Sequence, residues 1–450
     1  MNENVQLLAS ESVTRRFARY VSLSILSMLG VAVYYFTDTF FISDQIGPVG
    51  LASLNFAVPI YFTANAIGLL LGIGGATKYT IHKTRGDVFK GDQVYTNMMA
   101  LSVVISVVFI MVGILFAPQI AELFGANHET LTPTTTYVMI VMIFTPCFMY
   151  SNIFVAFIRN DNSPMISTIC MVTGTILNII LDYIFIYPLH LGMFGAALAT
   201  GVSPMMGMVL GFLLYILPGK SSFHLRKGTL DPSVMADCCS LGVSSFIVEI
   251  STGIVVIISN ITIVGIAGNM GVAAYSIIAN TGCVLLAIFV GLIQGSQPLL
   301  SDYYAADMRR REKQTLRLAL GVSFAFGLLI FLCGLLFAPE ICSIFNSGHN
   351  EQLEALAVPG IRLYYIGFIL CGVNMTLAQM MASVEKAGPS MIISIARGLV
   401  VISAAVILMG RLWGLAGVWL SFPVTELITF VIAAALYLDF ERKRPDVREP

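Results

Sequence analysis

Long apolar runs, each closed by a short polar stretch, recur along the whole 450-residue chain. A helix that crosses a bilayer needs about 20 mainly apolar residues. Twelve stretches meet that length: roughly 17–43, 50–76, 94–116, 132–157, 163–187, 193–217, 239–262, 271–298, 315–338, 354–382, 389–410 and 413–438. Their apolar positions are continuous rather than alternating, which predicts helices and not the strands of a barrel. Several runs exceed 25 residues, so tilted or kinked helices, or ends projecting past the hydrocarbon, are expected. The segment Met1 to Thr14 is polar and partly acidic, and the first run is too long for the apolar core of a cleavable signal peptide. The fold class read from this pattern is an all-α integral membrane protein.

Composition closes off the alternatives. Hydrophobic residues make up 57% and charged residues 11%, against about 45–50% and about 25% in ordinary soluble chains. With a mean hydropathy of +0.87, a water-soluble globule could not cover its surface with polar groups. Lys and Arg number 24 against 25 Asp and Glu, a net charge of −1, and no basic patch interleaves with aromatics, so nucleic-acid binding is excluded. Placing the N-terminus in the cytoplasm puts 21 of the 24 cationic residues in inside segments. Arg362 and Arg411 then lie near outer span ends, and Arg397 lies within a span. The positive-inside rule therefore predicts a multi-pass membrane protein with both termini cytoplasmic. The eight cysteines form no C-x-x-C and lie mostly inside spans, which reads as packing rather than disulfides or a metal site.

The chain also resembles itself. Gly113–Glu129 (GILFAPQIAELFGANHE) and Gly334–Asn350 (GLLFAPEICSIFNSGHN) match at a shift of 221, with eight of 17 positions identical. At the same shift Gly47–Ser53 meets Gly268–Ala274, and at 222 Gly192–Leu198 meets Gly414–Leu420. A period this long is a domain-sized duplication, not a solenoid. Each copy holds six spans, an even number, so both begin on the same side and form parallel repeats around a central cleft. The expected organisation is an N-lobe over 1–219, a cytoplasmic linker over 220–237 and a C-lobe over 238–450.

Ionisable groups deep in a span are costly and mark function or mutual pairing. Asp38 lies in the first span and Asp182 in the fifth, at similar depth from the cytoplasmic end. Asn178 precedes Asp182 by four residues and Tyr34 precedes Asp38 by four, so each pair shares a helix face. Thr200 sits among small residues in the sixth span, where helices approach closely. Two carboxylates with Asn, Thr and Tyr oxygens could hold one proton or one sodium ion, the alternative being buried acids satisfied by Tyr and Asn. Glu249 lies in the seventh span, Arg397 in the eleventh and Glu426 in the twelfth. One of these acids could attract a cationic substrate, or either could pair with Arg397. The repeat partners of Asp38 and Asp182 are Ser259 and about Ala404, so ion coupling is expected in the N-lobe alone.

Other signals are weaker. GIGGATK at 72–78 lacks phosphate-loop spacing and ends a span, so helix packing is its reading. Gly291, Gln294, Gly295, Gln297 and Pro298 mark the end of the eighth span. No two of the five histidines stand at metal-ligand spacing, although His128 and His349 match across the repeat. Part of the Phe, Met and Tyr complement could line an adaptable apolar pocket.

YYFTDTFFIS followed by GPVGLAS, IRNDNSPMI leading into NIILDYIF, the stretch GMFGAALAT, and ASVEKAGPS in the second half carry a resemblance. In order and spacing they resemble the multidrug and toxic compound extrusion (MATE) family, in its bacterial multidrug-exporter branch, over nearly the whole chain. The resemblance implies twelve helices in two lobes and drug export against an inward proton or sodium flow. It implies an ion site at Asp38, Asp182, Asn178 and Thr200, with no metal beyond a possible sodium ion at the two aspartates. It adds Tyr137 early in the fourth span and relates Glu249 to a seventh-span acid of some members. The remaining candidates for substrate contact or a supporting network are Tyr34, Asn152, Asn374, Arg397 and Glu426. Two departures stand out. Leu23 occupies the place of a first-span proline, and the tenth span carries Asn374 where some sodium-coupled members have an acid.

The function expected is therefore a secondary antiporter, with no cofactor besides the coupling proton or sodium ion. Its partners would be a cationic or amphiphilic small molecule and the lipid bilayer, not nucleic acid, and the chain would act as a monomer. A lipid-linked oligosaccharide flippase of the same superfamily is the alternative, but such a cavity needs more cations than Arg397. An intramembrane enzyme would need a nucleophile with its base or a metal cluster, and neither is visible. Two unequal lobes form no symmetric channel filter.

Overall fold

The computed structural model describes residues 11–126, 128–345 and 351–444, and every regular element among them is helical. Ten helices are long and apolar enough to cross a membrane: Val13–Ile46 (α1), Ser53–Thr84 (α2), Val88–Leu123 (α3), Pro164–Ile186 (α5), Gly192–Ile216 (α6), Pro232–Gly268 (α7), Met270–Ala305 (α8), Arg309–Leu336 (α9), Glu351–Ser383 (α10) and Ala387–Lys443. The pair Leu131–Ile143 and Thr145–Asn160, bent by 45°, supplies α4. The last long helix is broken at Gly414, whose φ of 59° is non-helical, and so divides into α11 (387–413) and α12 (415–443). Twelve spans result, as the hydropathy pattern predicts. The bend in α4 follows Phe144, with a proline in the first turn of the second segment. A proline there gives up no helical hydrogen bond at a segment start but cannot continue the preceding turn. A short helix, Ala338–Phe345, between α9 and α10 was not expected.

The duplication is written into the backbone. Left-handed φ values occur at Gly86 (82°) and Asp307 (55°), 221 residues apart, and at Gly192 (54°) and Gly414 (59°), 222 apart. Asn162 (63°) and Glu385 (59°) form a third pair at 223. The inward stripe of α3, Ser102, Ser106, Gly113 and Ala117, is buried, and so is its image Ser323, Gly327, Gly334 and Ala338 at a shift of 221. The opposite faces are apolar and outward, with Val104 61%, Leu115 63% and Leu329 54% exposed. Small inside and large apolar outside is the arrangement for helices packed against one another in lipid. His349 lies outside the described residues, so its match with His128 remains one of sequence.

Two compact units emerge. Residues 18–250 form one, and 12–17 with 251 onward the other. Both the linker and the first half of α7 pack with the first unit. Phe223 of the linker is 2% exposed in a core cluster with Tyr79, Tyr95 and Phe157. Asp92 accepts the His224 backbone N–H (2.9 Å) and Arg226 Nε (2.8 Å). Asn97 Nδ2 donates to the Thr229 carbonyl (2.9 Å), and the Asp231 N–H returns to Asn97 Oδ1 (2.8 Å). Asp231 also caps α7, and hydrogen bonds from the Ser233 hydroxyl and N–H hold its carboxyl below the usual range. A linker so bonded packs as part of the first unit.

Asp161, in the turn after α4, gathers four donors. Tyr79 Oη (2.7 Å), Lys83 Nζ (2.5 Å), Tyr215 Oη (2.7 Å) and the Ser222 N–H (2.7 Å) all point at its carboxylate. Breaking one side of a buried ion pair costs about 3–5 kcal/mol. Asp161→Ala is therefore expected to lower the melting temperature markedly and to open 218–231 to protease. Unchanged cleavage in that segment would show that Asp161 does not hold it.

In the second unit, Arg16 Nη2 donates to Asp302 (2.6 Å), which accounts for the first turn of α1 belonging there. Arg444 makes a two-pronged pair with Glu312 (2.6 and 2.9 Å), and Arg309 reaches Glu441 (3.0 Å). Tyr275, Phe289, Tyr365, Phe368 and Trp419 fill its main core. No disulfide joins the eight cysteines among the described residues: Cys170, Cys238, Cys342 and Cys371 are buried, Cys283 and Cys333 exposed.

Candidate functional site

Close helix approaches in the first unit build the site. A Cβ on Gly30 of α1 would stand 3.7 Å from Thr175 of α5, and Thr168 Oγ1 donates to the Leu23 carbonyl (3.2 Å). On α5, Gly174 would meet the Ser203 carbonyl of α6 at 3.2 Å. Gly201 of α6 lies so close to the Phe144 ring, at the bend of α4, that a Cβ would be 2.5 Å away. At Gly174 and Gly201 a larger residue would crowd the neighbouring helix, whereas at Gly30 a methyl group would make only ordinary contact.

Four spans thus converge, and they bring the predicted ion-site residues together. Asp38 is 6% exposed, Asn178 3%, Asp182 0%, Thr200 5% and Tyr137 3%. None faces outward with the lipid-exposed side chains. The two carboxylates are within electrostatic reach of each other, and Tyr137 is within reach of both, its hydroxyl beside Thr200. Five oxygens here make no hydrogen bond: Asp38 Oδ1, Asn178 Oδ1, both of Asp182, and Thr200 Oγ1. Asn178 Nδ2 is likewise unpartnered. Buried polar atoms are nearly always satisfied, and an orphan costs about 1–3 kcal/mol. Orphaned oxygens drawn from several helices suit a small hard cation or a proton. The alternative of acids satisfied by Tyr and Asn does not describe this arrangement.

Tyr34 behaves differently from expectation. It shares the Asp38 neighbourhood, but its hydroxyl is committed to Tyr61 Oη (2.8 Å), and its ring stacks on Tyr35 at 4.5 Å. Tyr35 meets Tyr61 edge-on at 5.9 Å, and Tyr61 meets Phe148 at 5.2 Å. This aromatic block leads to a second polar chain. Asn152 Nδ2 donates to Asn65 Oδ1 (2.9 Å), and Asn65 Nδ2 donates to Glu249 Oε1 (2.9 Å). Asn152 packs tightly on α2, where a Cβ on Gly68 would fall 2.8 Å from its amide. Glu249 is half-buried, and the group that donates to its carboxylate is the Asn65 amide. Tyr61 and Asn65 were not anticipated from sequence. Their signal was a hydroxyl and an amide within the apolar run of α2.

Arg397 pairs with Glu426, not with Glu249. Its Nε donates to Glu426 Oε1 (2.8 Å) and its Nη2 to Cys371 Sγ (2.9 Å). Asn374 Nδ2 donates to Glu426 Oε2 and to its carbonyl, both at 2.8 Å. These residues lie in the second unit, and Asn374 Oδ1 is itself left without a hydrogen bond.

Comparison with known proteins decides the family. The MatE family model matches residues 24–184 and again 245–408. The chain belongs to the MatE family. The double match coincides with the two repeats. This MatE chain is 26% identical over 411 residues to the multidrug export protein MepA of Staphylococcus haemolyticus strain JCSC1435, covering 90% of this chain and 89% of that one. It is 24% identical over 447 residues to MepA of Staphylococcus aureus strain MRSA252, with 96% of each covered. Among solved structures, an outward-facing multidrug resistance MATE family transporter of the MOP superfamily superimposes with a TM-score of 0.90 at 19% identity, over 99% of this chain and 100% of that one. A MOP superfamily transporter from Pyrococcus furiosus Vc1, described for the reverse polarity of its binding pocket, gives 0.89 at 19%, over 99% and 100%. Those likenesses establish the fold. This MatE protein is a multi-pass membrane transporter, not an enzyme.

Proposed function

We propose that the protein is a secondary active antiporter. It exports amphiphilic, cationic drugs or metabolites in exchange for a proton or sodium ion taken up at Asp38 and Asp182, with Asn178 and Thr200 completing the oxygen set. The observation that carries this reading is the buried group of five unpartnered oxygens in the first unit. Structure alone does not need such a group, and an exchangeable cation does. The two staphylococcal relatives, both named multidrug export proteins, supply the direction and the breadth of cargo. Glu249, half-buried and held by an amide, offers a negative charge to a cationic substrate.

Coupling requires only that ion and drug favour different states of the carrier. A cation at the aspartate pair stabilises one arrangement of α1, α4, α5 and α6, and drug stabilises the other. The protein works as a monomer in the plasma membrane of a bacterium, with both termini in the cytoplasm. The flippase alternative finds no support, since the guanidinium that would meet a pyrophosphate is already neutralised by Glu426. The test is purified protein in liposomes with an imposed pH or sodium gradient, run against a panel of cationic dyes. Dye movement driven by either gradient supports the reading. Binding of a lipid-linked precursor without gradient-driven dye movement would replace it with the flippase.

A further inference from the structure

The second repeat also buries a carboxylate, and its surroundings differ in kind from those of the first. Glu426 is 0% exposed. The titratable and charged groups that face it are Arg397 on α11 and Cys371 and Tyr364 on α10. Its two oxygens are taken, one by Arg397 Nε and one by Asn374 Nδ2, each at 2.8 Å. The side chains of the ion pair are 11% and 1% exposed.

The repeat shows what changed. The left-handed pair Asn162 and Glu385 sets a local shift of 223 for α5 against α11, and Gly192 and Gly414 set 222 for α6 against α12. At these shifts Arg397 falls on Gly174 and Glu426 on Pro204. In the first repeat that crossing is a bare backbone contact, Gly174 against the Ser203 carbonyl. In the second repeat the same crossing holds the ion pair. A π-turn at Ala396–Val400 carries Arg397, and such single turns re-aim side chains at functional positions. Asn374 falls on Asn152 at a shift of 222. Both asparagines serve a carboxylate, Asn152 through Asn65 to Glu249 and Asn374 directly to Glu426. Only the second of these carboxylates has a guanidinium on it.

We infer that Arg397 is a resident cation of the second repeat, a side chain of the chain itself held on Glu426, whereas the first repeat leaves the oxygens of its own, differently placed, buried carboxylates open to a cation from solution. A buried carboxylate must be paired or neutralised. Arg397 does this permanently, which keeps the second repeat from taking up a proton or metal cation of its own. The guanidinium thereby sets how many exchangeable cations the chain holds. The inference about Glu426 stands on the geometry of α10 to α12. Only its consequence for exchange rests on the proposed antiport.

The experiment is thermal unfolding of the full-length purified protein across about pH 5 to about pH 9, with and without sodium. The proteins are wild type, Arg397→Gln, Arg397→Lys and Arg397→Gln/Glu426→Gln. In Arg397→Gln the folded state binds a proton or a sodium ion that the unfolded chain binds less tightly. Its stability is then present at low pH and lost as pH rises, a fall in melting temperature of at least about 4 °C beyond that of wild type. Sodium raises it again if the metal ion can substitute. Arg397→Lys retains a cation and should follow wild type, and the double variant, with no acid left, should lose the added pH dependence. If Arg397→Gln yields no folded protein, recovery of folding in the double variant supports the inference equally. An Arg397→Gln profile parallel to wild type, or a double variant no better than the single, overturns it. The readout is stability, so failure of the antiport reading would show in the liposome assay and leave this result standing.

Discussion

Asp38→Asn is expected to abolish gradient-driven export while leaving a folded, monodisperse protein. The amide keeps the size and hydrogen-bonding shape of the side chain but removes the anion that a proton or sodium ion would neutralise. Asp38 Oδ1 has no hydrogen bond to lose, so the structural penalty is small. Dye export into liposomes with an imposed pH or sodium gradient should fall at least about tenfold, toward the rate of empty vesicles, given that coupling free energies of about 1–3 kcal/mol correspond to factors of about 5–150. Asp182→Asn should behave alike, because the two carboxylates lie within electrostatic reach of each other and the proposed mechanism uses them together. Undiminished export by Asp38→Asn would remove the aspartate pair from the mechanism and leave family membership as the sole ground for coupling.

The second large effect concerns the crossing of α2 and α7 in the first unit. A Cβ on Gly74 would stand 2.1 Å from the Cys238 carbonyl oxygen, and one on Gly242 would stand 2.0 Å from that of Leu70. Each glycine faces the other helix's backbone, which cannot rotate away as a side chain can. Gly74→Ala and Gly242→Ala should each cost more than about 3 kcal/mol, the range of severe overpacking. The loss would appear as low yield, aggregation on size exclusion and a melting temperature lowered by several degrees. Gly253→Ala and Gly321→Ala are the controls, since nothing lies within 4 Å of an added Cβ at either position. At those sites alanine should be neutral or stabilising by about 0.5–1 kcal/mol, the entropic cost of glycine in a helix. Equal behaviour of the two pairs would contradict the packing.

Much of the architecture was legible because lipid simplifies the code. Each span announces itself by an unbroken apolar run, and the duplication by shared glycines at one shift. The aspartates stood out for the complementary reason, that a carboxylate in such a run is costly to keep. What sequence missed depends on which faces meet. Asn65 and Tyr61 reach Glu249 and Tyr34 across helix boundaries, and no spacing within one helix reveals that. Tyr34 shows the limit of the four-residue rule, for it shares a face with Asp38 yet gives its hydroxyl to Tyr61. Arg397 could have paired with Glu249 or Glu426, and the crossing of α11 with α12 selects Glu426. The polar composition of 220–237 reads as a linker, and those polar groups, with the Phe223 ring, are what fasten it to the first unit.

The pairing of Arg397 with Glu426 also bears on how a duplicated chain escapes its own symmetry. In a homodimer of a six-helix ancestor, any substitution that installs a guanidinium would install it twice, and one that removes a carboxylate would remove both copies. Neither half could specialise. Once the two copies are fused into one gene, a single codon can change the eleventh helix and leave its twin, the fifth, with glycine. An ion pair in one copy facing glycine in the other is therefore an arrangement that only a fused chain can carry.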